Sequence, residues 1–531
     1  MRGGDLLVKC LEAEGVTRIF GIPGEENLDV MDALIDSKIK FVLTKHENSA
    51  AFMANACARL TGKPQVCLST LGPGATNMMT GVADAYLSYY PLVALTGQAG
   101  AERAYHPQKQ YIDLVQMFRP VTKESFSVRT TSRIPVQVRR AFDIAVAERP
   151  GPVHLELPED VMKEQAKGEP IKKGHIHHLR TELAAIESVR EVMANSRKPL
   201  VFAGAGVIRA NAVSRLQRLV HRWHIPVVHT WHGAGMVSYE DEESLNTVGL
   251  RSSDFVRSAF EEADAVILVG FDLPEFAPTF WNVGVRKTIV HIDSLPAESV
   301  PNYAPDVQLV GDIGSILDRL SVDAKPRRFW AAQFREDLNK SMEKCRVSDT
   351  PVKPQLIVRT IRRSLGKEDI CVSDVGAHLI WLAKYYPVYK ENTLLLTNGL
   401  IPMGVGVPTA IAAKLTHPSK KVVAVVGDAG LMMSVTELET AKRLGVRFVT
   451  VVFNDRDLGL IKTKHENVYG RAYDTRFDNP DLVELANSFG AVGYRVETAS
   501  ELKEALRLAL EEDELAIIDV PVDYSENKHL L

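Results

Sequence analysis

The stretch from Lys421 to Asp455, KVVAVVGDAGLMMSVTELETAKRLGVRFVTVVFND, constrains the chain most, because it reads as one complete strand–helix–strand unit. Val422 to Val426 is a short run of apolar, mostly β-branched residues, the pattern of a strand buried on both faces. Gly427-Asp428-Ala429-Gly430 then turns the chain, with small residues where a backbone must approach something closely. Ser434 with Glu437 three residues on predicts a capping box, and Gly445 after Lys442-Arg443-Leu444 predicts the helix stop. Val446 to Phe453 reads as a second buried strand. In a parallel βαβ unit both strands end at one crevice, beside a helix N-terminus. Asp428 and the Asn454-Asp455 pair are therefore predicted to converge, although Asp428 and Asp455 stand 27 positions apart. Oxygen-bearing side chains beside backbone amides suit a hard cation bridging a diphosphate, and Mg²⁺ is the natural choice. The competing reading is an ordinary βα turn with aspartate as a turn residue.

GDA after a strand, with ND about two dozen residues later, resembles the thiamin-diphosphate fingerprint of 2-oxoacid decarboxylases and acetohydroxyacid synthases. The resemblance implies side-chain Mg²⁺ ligation by Asp428 and Asp455, with Asp457 offering its backbone carbonyl. It places Gly427, Ala429, Gly430 and Leu458 beside the cofactor. The family often has asparagine where this chain has Asp455; either side chain supplies an oxygen, and the extra charge would tighten the metal while repelling diphosphate.

A chain of 531 residues is too long for one core. A net charge of −4 gives no electrostatic case for nucleic acid or an anionic membrane surface. Cys10, Cys57, Cys67, Cys345 and Cys371 show no CxxC spacing, so neither a zinc site nor a disulfide framework is indicated and a reducing, cytoplasmic setting is expected. MRGGDLLVKCLEAEGV enters an amphipathic helix pattern directly, which predicts no signal peptide, and no apolar run approaches the ~18 residues of a membrane span.

Residues 1–165 alternate strand and helix patterns, with strands within 16–24, 40–45, 66–74, 92–98 and 153–160 and helices over Leu28–Ile35 and Ser49–Thr61. Lys45-His46-Glu47 closes a strand and opens a helix, where a lone glutamate ordinarily complements the helix dipole. Gly72-Pro73-Gly74-Ala75-Thr76-Asn77 is a glycine loop of a common kind. Taken with AAFMA and RLTGKP, however, KHE and GPGATN resemble the pyrimidine-binding domain of acetolactate synthases. That resemblance makes Glu47 the carboxyl that bonds N1′ of the aminopyrimidine, with Gly72 and Asn77 as cofactor contacts. A carboxyl there favours the imino tautomer, whose nitrogen takes the thiazolium C2 proton. Gln110 matches the glutamine over the thiazolium, and Glu25 falls where pyruvate decarboxylases carry a protonating acid. His106 stands alone where those decarboxylases have a His-His pair, and a single loop histidine is more often a surface residue.

Residues 163–180 read as a polar linker whose His175, His177 and His178 are solvated. The segment 181–325 is again α/β, with strands at 200–207, 226–230, 265–270 and 288–293. Gly204-Ala205-Gly206 is a weak dinucleotide signal. Gly270-Phe271-Asp272-Leu273 lacks the arginine of flavin-binding relatives, and FAPTFWN with NYAPDVQLVGDI resembles the flavin-free catabolic acetolactate synthases, so FAD is not expected. A charged linker over about 322–352 precedes the last domain, 350–531, which opens on a strand within 369–378. By resemblance Gly376 and His378 touch the diphosphate, the carbonyl of Ile401 meets the pyrimidine 4′-amino group, and Met403 props the two rings, although a simple core role would suit Met403 equally. Lys464 stands where biosynthetic relatives carry a tryptophan that selects 2-oxobutyrate.

The expected architecture is α/β, with three doubly wound parallel-sheet domains: pyrimidine-binding (1–165), central (181–325) and diphosphate-binding (350–531). The expected reaction is decarboxylation of a 2-oxo acid, pyruvate, with thiamin diphosphate and Mg²⁺. Capture of the two-carbon unit by a second pyruvate gives 2-acetolactate, the leading reading. Capture by a proton gives an aldehyde, and capture by oxygen through a flavin would mark an oxidase. Loss of Glu47 or Asp428 would have marked a dead relative; both are present. In the family these two residues meet across a subunit boundary, which implies a homodimer or homotetramer.

Overall fold

The structure is a computed structural model that describes residues 1–104, 109–172, 183–249, 257–282, 286–322, 324–343 and 350–530. Three six-stranded sheets, every strand pair within them parallel, carry the chain. In the first, β1 (Arg18–Gly21), β2 (Lys40–Leu43), β3 (Gln65–Ser69), β4 (Leu92–Gln98), β5 (Glu124–Ser127) and β6 (Pro152–Pro158) run in the order β2-β1-β3-β4-β6-β5. In the second, β7 (Pro199–Ala203), β8 (Val227–His229), β9 (Ser244–Thr247), β10 (Ala265–Val269), β11 (Thr288–Asp293) and β12 (Val307–Val310) run in the order β12-β11-β10-β7-β8-β9. The third combines β13 (Ile370–Ser373), β14 (Leu394–Leu395), β15 (Val422–Gly427), β16 (Val449–Asn454), β17 (Val492–Arg495) and β18 (Ala516–Pro521) as β14-β13-β15-β16-β18-β17.

The first and third sheets thus share one topology, although no sequence repeat is evident, and their strand order reverses between the first and third strands of each. Ligands of open parallel sheets bind at the carboxyl ends beside such a reversal. The central sheet instead has the strand order typical of dinucleotide-binding folds, a likeness that concerns the fold alone. A Cβ on Gly204 or Gly206 would run into the backbone of Gly270, so these glycines let the ends of β7 and β10 approach each other.

The strands form where β-branched and other apolar residues fill both faces: β10 (AVILV) is buried throughout, and so is β15 apart from its last residue, Gly427. The strands missing from the sequence reading are mostly edges, and β5 (ESFS) and β17 (VGYR) carry no fully buried residue.

By contacts the chain divides into two compact units: 1–176 with 399–419 and 433–447, and 177–398 with 420–432 and 448–531. The first unit therefore contains the helices Gly406–Thr416 and Glu437–Leu444, which follow β14 and β15 in the chain.

Three local expectations are corrected. Residues 427–430 are not a free turn, because a helix begins at Asp428 and runs to Ser434. The Ser434–Glu437 capping box does not form: Thr436 is the N-cap without a side-chain bond, the Ser434 hydroxyl has no partner among the described residues, and Glu437 bonds elsewhere. Gly445, by contrast, ends that helix at φ 66° as read. The supposed linker 322–352 holds a helix, Ala332–Glu343, tied down by buried Leu338 and by Arg335, which stacks 4.3 Å from the Tyr239 ring. The histidines at 175, 177 and 178 lie outside the described residues, as do Cys345 and His106; the other four cysteines are buried free thiols. No helix among the described residues is long and apolar enough to cross a membrane.

Gly21 ends β1 with its Cα against the carbonyl oxygen of Leu68 in β3. A methyl there cannot fit without parting the strands, an overpacking cost of about 1–3 kcal/mol. Gly21→Ala should lower the thermal midpoint by several degrees in a calorimetric scan; an unchanged midpoint would show that β1 and β3 can separate freely.

Candidate active site

The 177–398/420–432/448–531 unit gathers an acidic cluster at the carboxyl ends of β15 and β16. Those strands pair in register as far as Gly427 opposite Phe453, so the next residues, Asp428 and Asn454, emerge side by side. Asp428 is buried and opens its helix; its Oδ1 accepts the N–H of Ala429 (3.0 Å), and its Oδ2 accepts the N–H of Arg456 (2.8 Å) and Nδ2 of Asn479 (2.7 Å). Asn479 also donates to Asn454 Oδ1 (3.1 Å), and Asn454 Nδ2 donates to Asp519 (2.8 Å). Burial nonetheless raises the Asp428 carboxyl above the usual carboxylate range.

Asp455 is more strongly perturbed. Burial first, then the charges of Asp428 and Asp457, push its carboxyl up to about 7. Asp457 is buried; Lys462 reaches its Oδ2 at 3.1 Å, while its Oδ1 has no partner among the described residues. Gly459 lets Asp455 lie close over it, since a Cβ there would stand 2.3 Å from Oδ2 of Asp455 and displace that carboxylate. Leu458 stands before it as the N-cap of the helix Gly459–Tyr469, its N–H held by Thr475. His378, on the helix that follows β13, lies across Gly376 and Gly427: a Cβ would sit 2.7 Å from its ring at the first and 3.1 Å at the second. The ring is buried and held neutral, its pKa pushed down to about 3, and its Nε2 has no partner among the described residues. Gly430 faces Asp374 closely enough that a Cβ would lie 3.0 Å from its carboxylate.

The other unit holds a second group. Glu47 is the first residue of the helix Glu47–Thr61, at the end of β2. Its Oε2 accepts Nδ2 of Asn77 (3.0 Å), and Gly74 leaves room for its Oε1, which would stand 3.3 Å from any Cβ there. Gly72, at φ 55°, caps the helix Pro73–Ser88 and packs so close to Gln110 that a Cβ would lie 2.9 Å from the Gln110 carbonyl. Gln110 is exposed and left-handed, at φ 64°. Glu47, Asn77, Gly72 and Gln110 therefore form one group. Glu25 is exposed at the start of a 3₁₀ turn, and its neighbour Glu26 is the buried acid, bonded by the Thr70 hydroxyl (2.6 Å). Ile401 is exposed and left-handed (φ 58°), and Met403 is half-buried; both lie in the 399–419 segment of this unit. Asn479, Tyr524 and Glu26 escape sequence reasoning. Burial first, then the Asp455 and Asp428 charges, push the Tyr524 hydroxyl well up, but nothing in the spacing of these residues points to the site.

Three family profiles cover most of the chain: the thiamine pyrophosphate enzyme N-terminal binding domain (1–117), the central domain (186–320) and the C-terminal binding domain (374–520). The chain belongs to the acetolactate synthase family of thiamine pyrophosphate enzymes. Over its whole length it is 35% identical to the acetolactate synthase of Bacillus subtilis, covering 94% of that protein. It is 34% identical to the catabolic acetolactate synthase of Raoultella terrigena, covering 96%. The large subunit of Escherichia coli isozyme 2 is 31% identical, with 99% of this chain and 96% of that one aligned. Within the family's C-terminal binding domain lie both the acidic cluster and His378, and within its N-terminal binding domain lies the whole Glu47 group.

A carboxyl whose pKa is higher in the folded than in the unfolded chain favours folding when protonated, so its contribution is lost as pH rises from about 4 to about 7. Asp455→Asn removes that loss. In chelator, the thiamine pyrophosphate enzyme carrying Asp455→Asn should melt above the parent at about pH 8 and level with it at about pH 4, where both side chains are neutral. An equal offset at both pH values would contradict the charge crowding.

Proposed function

We propose that this chain is a thiamin-diphosphate- and Mg²⁺-dependent acetolactate synthase that joins two pyruvates with loss of CO₂. The observation that carries the cofactor geometry is the partly unsatisfied acidic cluster beside an orphaned, buried His378 Nε2, where a metal-bridged diphosphate fits. Asp428 and Asp455 would hold Mg²⁺ through their side chains and Asp457 through its backbone carbonyl. Gly376, His378, Gly427, Ala429, Gly430 and Leu458 would line the diphosphate. Thiamin diphosphate, when bound, supplies the carbon nucleophile that attacks a 2-oxo acid and the electron sink that takes up charge as CO₂ leaves.

Glu47 holds and returns a proton at N1′ of the aminopyrimidine, and Asn77 fixes the direction of its carboxylate. Ile401 would offer its carbonyl to the 4′-amino group and Met403 its bulk between the rings. Gln110, presented on a strained backbone against Gly72, would orient the substrate carboxylate or carbonyl. The alternative of aldehyde release rests on Glu25, exposed just after β1 where it could deliver a proton. FAD has no part in this reading, because Gly270-Phe271-Asp272-Leu273 lacks the arginine of flavin-binding relatives.

From the resemblance to enzymes in which the residues matching Glu47 and Asp428 meet across a subunit boundary, we assign the protein to a homodimer, or a pair of homodimers, with 1–165, 181–325 and 350–531 as its functional domains. Exposed Ile461, Val468 and Tyr469, on a helix without a buried residue, suit such an interface. Four buried free thiols suit a reducing cytoplasm.

The enzyme supplied with thiamin diphosphate, Mg²⁺ and pyruvate should yield a product that acid converts to acetoin. Free acetaldehyde would establish the alternative, and peroxide would overturn both. Glu47→Gln should lower turnover by at least ~10²-fold while the cofactor still binds; parental turnover in that variant would remove Glu47 from the mechanism. Asp428→Asn should abolish Mg²⁺-dependent retention of the cofactor in equilibrium dialysis, and undiminished retention would place the metal elsewhere.

A further inference from the structure

The carboxylate of Glu437 is fully buried, and what it binds is the backbone that leads into Glu47. Its Oε1 accepts the N–H of Lys45 at 2.9 Å and the N–H of His46 at 3.1 Å. Its Oε2 accepts the Thr440 hydroxyl at 2.7 Å, and Ser49 adds a side-chain hydrogen bond. Lys45 and His46 are the two residues immediately before Glu47, and Ser49 lies two after it. The same helix, Glu437–Leu444, takes hold of this loop at two further points: Lys45 Nζ pairs with Glu439 at 2.9 Å, and Arg443 bonds the Leu43 carbonyl at the end of β2. All of these groups belong to one compact unit.

A buried charge with four donors converging on it has essentially one low-energy arrangement, because any displacement leaves the charge or a buried amide unpaired. Charge-assisted bonds to two successive amides therefore fix the backbone's position and the entry angle of the Glu47 helix together. His46 completes the junction, its Nδ1 accepting the N–H of Asn48 at 3.1 Å as the N-cap.

We propose that Glu437 is a positioning residue for Glu47, setting through the Lys45 and His46 amides where the Glu47 carboxyl meets the aminopyrimidine. This rests on the reading of Glu47 as the proton-handling acid. Glu437 touches neither cofactor nor substrate; what matters is an acceptor oxygen at the Oε1 position, one methylene farther out than aspartate can place it.

Deuterium exchange at C2 of bound thiamin diphosphate, followed by NMR after acid quench, reports on Glu47 directly and is insensitive to later steps. Glu437→Asp should slow exchange by roughly 10²-fold, the scale of a misplacement of about 1 Å. Glu437→Gln, which keeps an oxygen at Oε1, should stay within a few-fold of the parent. Cofactor affinity should change little in either. Thr440→Val, which removes the hydroxyl that Oε2 accepts, should slow exchange several-fold and carries the test if the aspartate variant does not fold. Parental exchange in folded Glu437→Asp, or in Thr440→Val where that variant stands in, overturns the proposal. So does exchange in Glu437→Gln as slow as in Glu437→Asp, since charge rather than position would then matter. Glu47→Gln runs alongside: if it exchanges at the parental rate, the assignment of Glu47 itself is what has failed.

Discussion

Crowded negative charge at the ends of β15 and β16 is the constraint that the rest of the cofactor half-site answers. Two like charges about 4 Å apart repel by roughly 4 kcal/mol at an effective dielectric near 20, a sizeable share of a domain's whole stability. Asp428 draws on Asn479 and two backbone amides, and Asp457 on Lys462, yet Asp455 is still pushed up to about 7. Hydrogen bonds from neutral donors blunt such repulsion without cancelling it. A divalent cation would cancel it, and under the proposed function that cation is the one a diphosphate also requires. The neutral, unpartnered His378 beside it fits the same logic, because it adds a polar contact without adding charge.

The sharing of one strand order by the first and third sheets gives this half-site a counterpart. Asp428 leaves β15, which flanks the order reversal of its sheet, and Glu47 follows β2, the edge strand one place away from the reversal of its own. The carboxyl edges differ in what they are built to hold. One has an acid beside an asparagine and glycines, suited to an aromatic ring with polar nitrogens; the other has oxygen ligands suited to a metal. One strand order thus underlies both groups, with their different chemistry carried by the side chains at the rim rather than by the sheets.

Legibility in the sequence followed burial. Central strands such as β10 and β15 could be read from their apolar runs, because two covered faces leave little room for polar residues. Edge strands such as β5, ESFS, need not be apolar, and they pass for loop. The Asp428–Asp455 convergence was legible because βαβ geometry dictates it over a short span. Asn479 was not, since it reaches Asp428 from 51 residues away with no periodicity to announce it. Ser434 and Glu437 have the spacing of a capping box, but Glu437 binds backbone amides 392 and 391 residues earlier in the chain. A local motif worth about 1 kcal/mol gives way to two charge-assisted bonds in a dry interior.

Backbone strain makes an independent argument for the same residues. Among the described residues, Asn, Asp and His account for most non-glycine positions with positive φ, as their short polar side chains allow. Four do not fit that explanation: Tyr89, Gln110, Ile401 and Arg456. Tyr89 ends a helix, where the left-handed conformation is routine. Gln110 packs against Gly72, and Arg456 gives its N–H to Asp428. A β-branched residue such as Ile401 at φ 58° costs on the order of 1–3 kcal/mol and persists only where its surroundings dictate it. Ordinary loops shed such costs by accepting glycine or asparagine. These three carry demanding side chains instead, so the φ each holds, and with it the aim of a carbonyl or an amide, is fixed by their surroundings.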